Sequence, residues 1–128
     1  MRLLLDTCTF LWIAGGSRQL SARAREVFGD PGNDVFLSAA SAWEIALKHR
    51  LGRLPLPVGP EMFVPAQRAA HGIEPLGIEE EAVLHLPRLP DIHRDPFDRI
   101  LVAQAIVGGL VLLTPDQTIR KYPSRTLW

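Results

Sequence analysis

The ten residues LLLDTCTFLW, residues 3–12, predict a short buried strand followed at once by a helix. Three consecutive leucines fit a strand that is covered on both faces, and the apolar run over residues 9–14 ends at two glycines, which commonly stop a helix. Asp6 lies at the junction between the two elements. The chain therefore opens as strand, then helix, with a carboxylate between them.

The same order recurs along the chain. Further strands are predicted at residues 34–38, 73–76 and 110–113, and further helices at 21–28, 41–51, 61–70, 79–86 and 96–108, with another turn of helix starting at 114–115. Strands that alternate with helices through short loops indicate a parallel sheet with helices on both faces. We therefore predict an α/β fold, a three-layer α/β/α arrangement with a central, mostly parallel sheet, in a single domain over residues 1–128.

Composition narrows the functional class. The chain has 128 residues, 47% hydrophobic and 22% charged, which is typical of a soluble globular domain. Neither a membrane span nor a signal peptide is recognisable, and the single Cys8 cannot form an internal disulfide, so we expect a cytoplasmic protein with a buried, non-catalytic thiol. Fourteen basic and fourteen acidic residues cancel, so a polyanion would have to be held by a local patch or a metal ion.

Acidic residues recur where a predicted strand ends or where the next helix begins. Parallel sheets gather their functional groups at the carboxyl ends of the strands, so we expect these side chains to face one edge of the sheet. The acids concerned are Asp6, Glu44, Asp98 and Asp116.

Each of these acids also has a purely structural explanation as a helix cap. Ser41 and Glu44 fit the Ser-x-x-Glu capping box, and Asp116 follows Thr114 and Pro115 at a plausible helix start. Asp98 stands three residues after Asp95, which is itself a good N-cap before a proline. If all four acids only cap helices, they require no function.

The helix stripe around Asp98 argues for more than capping. Asp98 shares one helical face with Leu101, Val102 and Ala105, so its carboxylate points inward and must be protonated or have a partner. Converging carboxylates repel unless a cation compensates them, either an arginine in a structural cluster or a divalent metal. Carboxylate oxygens suit Mg²⁺ or Mn²⁺, which commonly serve phosphate chemistry, whereas the four histidines lack zinc-site spacing and are expected at the surface or in loops.

Four segments taken together resemble a known family. The stretches LLLDTCTFLW, SAASAWEIALKHRLGRLPL, HRDPFDRILVAQA and LLTPDQTI are similar, in order and spacing, to PIN-domain ribonucleases, specifically the VapC-like toxins of type II toxin–antitoxin systems. The resemblance covers nearly the whole chain and implies a PIN-like fold. It also implies a Mg²⁺-dependent endoribonuclease, with Mn²⁺ as a possible substitute, that cleaves RNA with a metal-activated water.

The resemblance assigns roles to the same four acids. Asp6 and Asp98 would be the principal metal ligands, and Glu44 and Asp116 would complete the pocket directly or through water. It further implies a cognate antitoxin that covers the site, and a homodimer. A basic antitoxin side chain could compete with the metal for such a pocket.

Secondary candidates and alternatives remain open at this stage. Lys48, Arg50, Arg53 and Arg99 are candidate RNA contacts, although cations near a helix C-terminus are favoured in any case. Ser38 and Thr114 could orient a ligand or water, or serve turns and caps. The alternative functions are a catalytically inactive PIN-like binding module and a receiver-like phosphoacceptor switch. The second would need an adjacent pair of acids after the first strand.

Overall fold

A computed structural model describes residues 1–128 and contains one five-stranded sheet. The strands are β1 (Arg2–Leu5), β2 (Asp34–Ser38), β3 (Glu74–Leu76), β4 (Val111–Leu113) and β5 (Thr126–Leu127). They lie in the order β3-β2-β1-β4-β5, and every neighbouring pair is parallel. The predicted parallel sheet is therefore confirmed.

Six α-helices connect and cover these strands. They are α1 (Thr7–Gly15), α2 (Ala22–Gly29), α3 (Ala39–Arg50), α4 (Pro60–Ala70), α5 (Glu80–His85) and α6 (Pro96–Gly108). Two 3-10 turns, Leu86–Arg88 and Ile119–Lys121, complete the regular structure. None of the helices combines the length and the apolar character needed to cross a bilayer.

The central strand β1 separates two hydrophobic cores. Leu3 and Leu5 belong to the core that includes residues of α1, α2 and α4, whereas Leu4 belongs to the core formed largely by α6. Helix α3 contributes to both, through Ile45 on one side and Ala40 on the other. Alternate side chains of a strand point to opposite faces, so three successive leucines can feed both layers. The architecture is the predicted three-layer α/β/α arrangement.

Strand order places a crevice beside β1. The chain runs outward from β1 through β2 to β3 and then returns to β4 on the other side of β1. Such a reversal opens a crevice at the carboxyl ends of the two strands, which is the usual ligand position in open parallel sheets. Asp6 follows β1 and Thr114 follows β4 at this point.

Three local predictions differ from the structure. Helix α3 begins at Ala39 and is capped by Ser38, whose hydroxyl accepts from the Ala40 amide at 3.0 Å, so the Ser41–Glu44 capping box is wrong. The helix expected at Thr114 is only the 3-10 turn Ile119–Lys121. Strand β5 was not predicted, because two residues give no periodic pattern.

Candidate active site at the carboxyl edge of the sheet

Asp6 is a buried carboxylate surrounded by neutral donors. It caps α1, where its Oδ1 accepts from the Thr9 amide at 2.8 Å, and the Cys8 thiol donates to the same oxygen at 3.3 Å. The hydroxyl of Thr114 donates to Oδ2 at 2.5 Å. The residue is only 4% exposed, and no lysine, arginine or histidine pairs with it. The capping explanation is correct for Asp6, but it leaves a buried negative charge without a cation.

Thr114 links Asp6 to Asp116. Its hydroxyl oxygen accepts from the Asp116 amide at 3.0 Å while its proton goes to Asp6. Asp116 in turn accepts through Oδ1 from the amides of Thr118 and Ile119, at 2.7 and 3.1 Å, and so caps the 3-10 turn. Its carboxylate also lacks a cationic partner. At the end of β4, the Thr114 side chain thus connects two acids, Asp6 and Asp116, that have no cationic partner.

Glu44 has a different environment from these two. It is 6% exposed, and its Oε1 accepts from the Thr7 hydroxyl at 2.6 Å. Its other oxygen, Oε2, forms a close ion pair with Lys48 one turn further along α3. Both oxygens of Glu44 are therefore engaged inside the chain, and neither contacts the start of its own helix.

Asp98 lies in the first turn of α6 and is not the cap of that helix. Asp95 performs that role, accepting from the amides of Phe97 and Asp98 at 2.9 and 3.1 Å. Asp98 instead faces His93, with 3.1 Å between Oδ2 and Nε2. Burial raises the pKa of Asp98 from 3.8 to about 6, the His93 hydrogen bond opposes this rise, and the charges of Asp95 and Asp116 add to it.

His93 is a residue of this site that the sequence reasoning placed only at the surface or in a loop. Its Nδ1 lies 2.7 Å from the Tyr122 hydroxyl, so the imidazole is held between Tyr122 and Asp98. Arg99 braces the same group by donating to the Pro90 carbonyl at 3.0 Å and to the Tyr122 hydroxyl at 3.1 Å. Arg99 is thus a structural brace and not a free RNA contact. The signal was present in HRDPFDR, where a histidine and an arginine flank the cap and the acid.

The four acids border one region of the sheet edge. Asp116 raises the pKa of Asp98 through its charge, while Thr114 joins Asp116 to Asp6. The hydrogen bond that Lys48 donates to Glu44 is the main cause of its raised pKa, and the charges of Asp95 and Asp98 add to the rise, so α3 and α6 face each other here. No three Asp, Glu, His or Cys side chains come together as a complete set of metal ligands.

The donor chemistry of this region fits a hard cation. All candidate ligands are carboxylate oxygens, and two of them, Asp6 and Asp116, have no positive partner in the chain. Asp6 is buried and Asp116 is half-buried, and a buried carboxylate requires a cation or a proton. A divalent ion such as Mg²⁺ or Mn²⁺ would meet that requirement.

Cys8 takes no part as a nucleophile. Burial, together with the charge of Asp6 and the hydrogen bond to it, raises the pKa of the thiol to about 12. The thiol therefore remains protonated near neutral pH, as expected for a non-catalytic cysteine.

The largest cavity, about 680 Å³ between α3 and α4, contains none of the four acids and is lined in part by Arg50 and Arg68.

The raised pKa of Asp98 gives a testable dependence of stability on pH. A carboxyl that is more basic in the folded state favours folding when protonated, so this contribution is complete below about pH 4 and is lost as the pH rises to about 6. In EDTA, Asp98→Asn should match the wild type at pH 4 and exceed its unfolding free energy at pH 7, by about 1–2 kcal/mol after solvent screening. Urea denaturation at both pH values measures this; a stability difference independent of pH would contradict it.

Comparison with known proteins agrees with this architecture. The chain matches the family described as "PIN domain" over residues 3–124. It is also 41% identical over 61 residues to Ribonuclease VapC16 of Mycobacterium tuberculosis, covering 48% of this chain. The aligned region spans 43% of that relative's length, which is less than half.

Solved structures share the fold across the whole chain. VapBC2 from Rickettsia felis, crystallised with a DNA fragment from the promoter, aligns with a TM-score of 0.74 and 11% identity, covering 99% of this chain and 98% of that chain. DNA-bound VapBC from Salmonella typhimurium aligns with a TM-score of 0.68 and 18% identity, covering 99% and 97%. With a family match over nearly its whole length and the fold to go with it, the chain belongs to the PIN domain family.

Proposed function

We propose that this chain is a metal-dependent endoribonuclease of the VapC type, a toxin that a cognate antitoxin neutralises. The observation that carries the proposal is the buried, cation-free carboxylate of Asp6, tied through Thr114 to Asp116 beside Asp98. Membership of the PIN domain family, and the likeness to a protein called a ribonuclease, support it. The VapBC complexes with the same fold support an antitoxin partner.

Asp6 and Asp98 are proposed as the principal Mg²⁺ ligands, with Glu44 and Asp116 completing the pocket directly or through water. When bound, the ion would acidify a water molecule and screen the phosphate oxygens. The chain's own contribution is orientation. Thr114 fixes one oxygen of Asp6, and the imidazole of His93 fixes one oxygen of Asp98.

The proposed reaction is hydrolysis of an RNA phosphodiester. The water oxygen forms a new bond to phosphorus, the bond from phosphorus to the leaving ribose oxygen breaks, and a proton from the water ends on that leaving oxygen. Carboxylates that are already held in place need little reorganisation during this step. We place the reaction in the cytoplasm, where RNA is accessible.

The proposed antitoxin would silence the site with a basic side chain. An Arg or Lys inserted among these acids would form charge-assisted hydrogen bonds in place of the ion. A homodimer is also proposed. Trp43, which is 60% exposed and packs edge-on against Phe97 at 4.9 Å, offers apolar surface beside the site for such contacts.

One alternative keeps some structural support. Asp6, Asp95 and Asp116 all cap helical segments, so an inactive PIN-like binding module would also retain them. The receiver-like switch is not supported, because Asp6 is followed by Thr7, whose hydroxyl serves Glu44. An RNA cleavage assay distinguishes the nuclease from the inactive module.

The test is cleavage of single-stranded RNA by the purified protein. We expect cleavage with Mg²⁺ or Mn²⁺, none in excess EDTA, and recovery when Mn²⁺ is added back, because the acids alone cannot activate water. Cut fragments resolved by gel and end sequencing give the readout. Cleavage that persists in EDTA, or a folded protein that cuts no RNA with either metal, would reject the proposal in favour of a contaminant or an inactive module.

A further inference from the structure

Lys48 is placed differently from the other basic residues near the site. Arg99 is engaged by carbonyl oxygens and by Tyr122, and Arg50 lines the cavity between α3 and α4. Lys48 is the one lysine or arginine that pairs with one of the four acids, and the charges of Asp95 and Asp98 also act on it. Its ammonium therefore lies at the acidic edge, between α3 and α6.

The pair that Lys48 forms is not an ordinary surface pair. The side chain of Lys48 is 49% exposed, but that of Glu44 is only 8% exposed. A surface pair one helical turn apart contributes little, whereas a buried carboxylate depends on its cation. Glu44 thus holds one end of a lysine whose remaining N–H donors can reach solvent and a ligand.

The oxygens of Glu44 leave little room for direct coordination of an ion. Oε1 accepts from the Thr7 hydroxyl at 2.6 Å, and Oε2 accepts from Lys48. A divalent ion at either oxygen would have to displace the Lys48 ammonium or crowd it, against charge repulsion. Asp6 and Asp116 have no such positive neighbour.

Charge balance points the same way. Four ionised carboxylates carry four negative charges, and one divalent ion offsets only two of them, so the pocket would still repel an RNA phosphate. The Lys48 ammonium offsets a third, and its side chain, 49% exposed, has N–H groups left to contact a phosphate. A lysine is well suited to this contact, because it binds phosphate as a compact point charge.

We propose that Lys48 is a catalytic residue that donates to a non-bridging oxygen of the RNA phosphate, and that Glu44 is a positioning residue for Lys48 and not a direct metal ligand. This inference rests on the proposed nuclease function. No proton leaves the ammonium in this role. It stabilises the negative charge that grows on the phosphate oxygens as water attacks.

The kinetic experiment compares Lys48→Met with Arg25→Met, which removes an equal charge from an exposed position on α2, away from the candidate RNA contacts. We expect Lys48→Met to lower kcat by about 100-fold, the scale of losing one donor to a developing oxyanion. KM for RNA should change by no more than about threefold, the change expected for one exposed charge at moderate salt. Arg25→Met should change neither value appreciably, and Lys48→Arg should recover part of the rate. Equal losses in the two methionine variants would overturn the assignment.

The metal-binding experiment needs no RNA. Mn²⁺ alone is titrated by calorimetry into wild type, Glu44→Gln, Lys48→Met and Asp98→Asn, with circular dichroism confirming that each is folded. Glu44→Gln should keep its Mn²⁺ affinity within about threefold, and Asp98→Asn should lose tenfold or more, since losing even a group that only orients a ligand costs about 10–100-fold. If Glu44→Gln weakens Mn²⁺ as much as Asp98→Asn does, Glu44 is a ligand and the inference is wrong.

The two experiments keep the inference and the proposed function apart. If wild type cuts no RNA, the nuclease proposal fails, and with it the role of Lys48, whereas the Mn²⁺ titration still decides whether Glu44 is a ligand. If wild type cuts RNA and Lys48→Met cuts it equally well, only the inference about Lys48 fails.

Discussion

Asp98→Asn should lower Mg²⁺-dependent RNA cleavage by about 100-fold or more, because a metal supplies several kcal/mol of charge stabilisation and each 1.4 kcal/mol is a factor of ten in rate. Asn keeps the shape of Asp98 and can still bond to His93, but it lacks the charge that holds the ion. Initial rates at saturating RNA, measured over a range of Mg²⁺ concentrations, check this. Part of the loss should be recovered at high metal concentration if the defect is in affinity.

A matched control lies in the same segment. Asp91 is exposed in the loop before α6, so Asp91→Asn removes an identical charge without touching the pocket and should leave the rate within twofold. If Asp98→Asn cleaves RNA as fast as Asp91→Asn, Asp98 is not a ligand, and the nuclease site must be sought elsewhere.

Asp6→Ala should destabilise the metal-free protein by about 2–4 kcal/mol. Loss of an N-cap accounts for about 1 kcal/mol, and leaving the buried Thr114 hydroxyl without its acceptor adds about 1–3 kcal/mol. This is opposite in sign to Asp98→Asn at pH 7, which relieves a carboxylate held against its own burial. Urea unfolding in EDTA measures both variants on one scale.

The control for this variant is Asp34→Ala. Asp34 is exposed at the start of β2, and its backbone amide keeps its bond to the Met1 carbonyl at 2.9 Å. It should change stability by no more than about 0.5 kcal/mol, as is usual for surface positions. An Asp6→Ala protein as stable as Asp34→Ala would mean that Thr114 finds another acceptor and that the Asp6 contacts contribute little.

Asp6 and Asp98 differ in how hydrogen bonds satisfy their carboxylates. Considered only as repelling acids, Asp6 and Asp98 should both tolerate Asn without loss of stability. The structure separates them, because Asp6 accepts three hydrogen bonds and Asp98 accepts one, from His93. Which carboxylate is satisfied by neutral donors depends on contacts between residues far apart in the chain, such as Asp6 with Thr114, and no local pattern encodes these.

The fold was the more predictable part. Apolar runs such as LLL at residues 3–5, glycine stops and the alternation of strand with helix are local signals, and they fixed the layers and the parallel sheet. Such patterns cannot detect the two-residue strand β5 or locate the true start of α3. At the site, the acids were recognisable from position and family resemblance. The pairing of Glu44 with Lys48 and of Asp98 with His93 emerged only in three dimensions.

The contacts of Arg99 should make one side of the crevice more rigid than the other. Its guanidinium ties the carbonyl oxygens of Pro90 and His93 to the Tyr122 hydroxyl, and its charge lies 5.9 Å from the centre of the Tyr122 ring. These contacts fix the segment before α6 to Tyr122, which follows the second 3-10 turn. That segment and α6 should therefore move together as one rigid unit. On the opposite side of the crevice, α3 carries the half-exposed Lys48, whose side chain has several rotatable bonds. We therefore expect side chains of α3 to adjust when a nucleotide binds, while α6 and the segment before it stay in place.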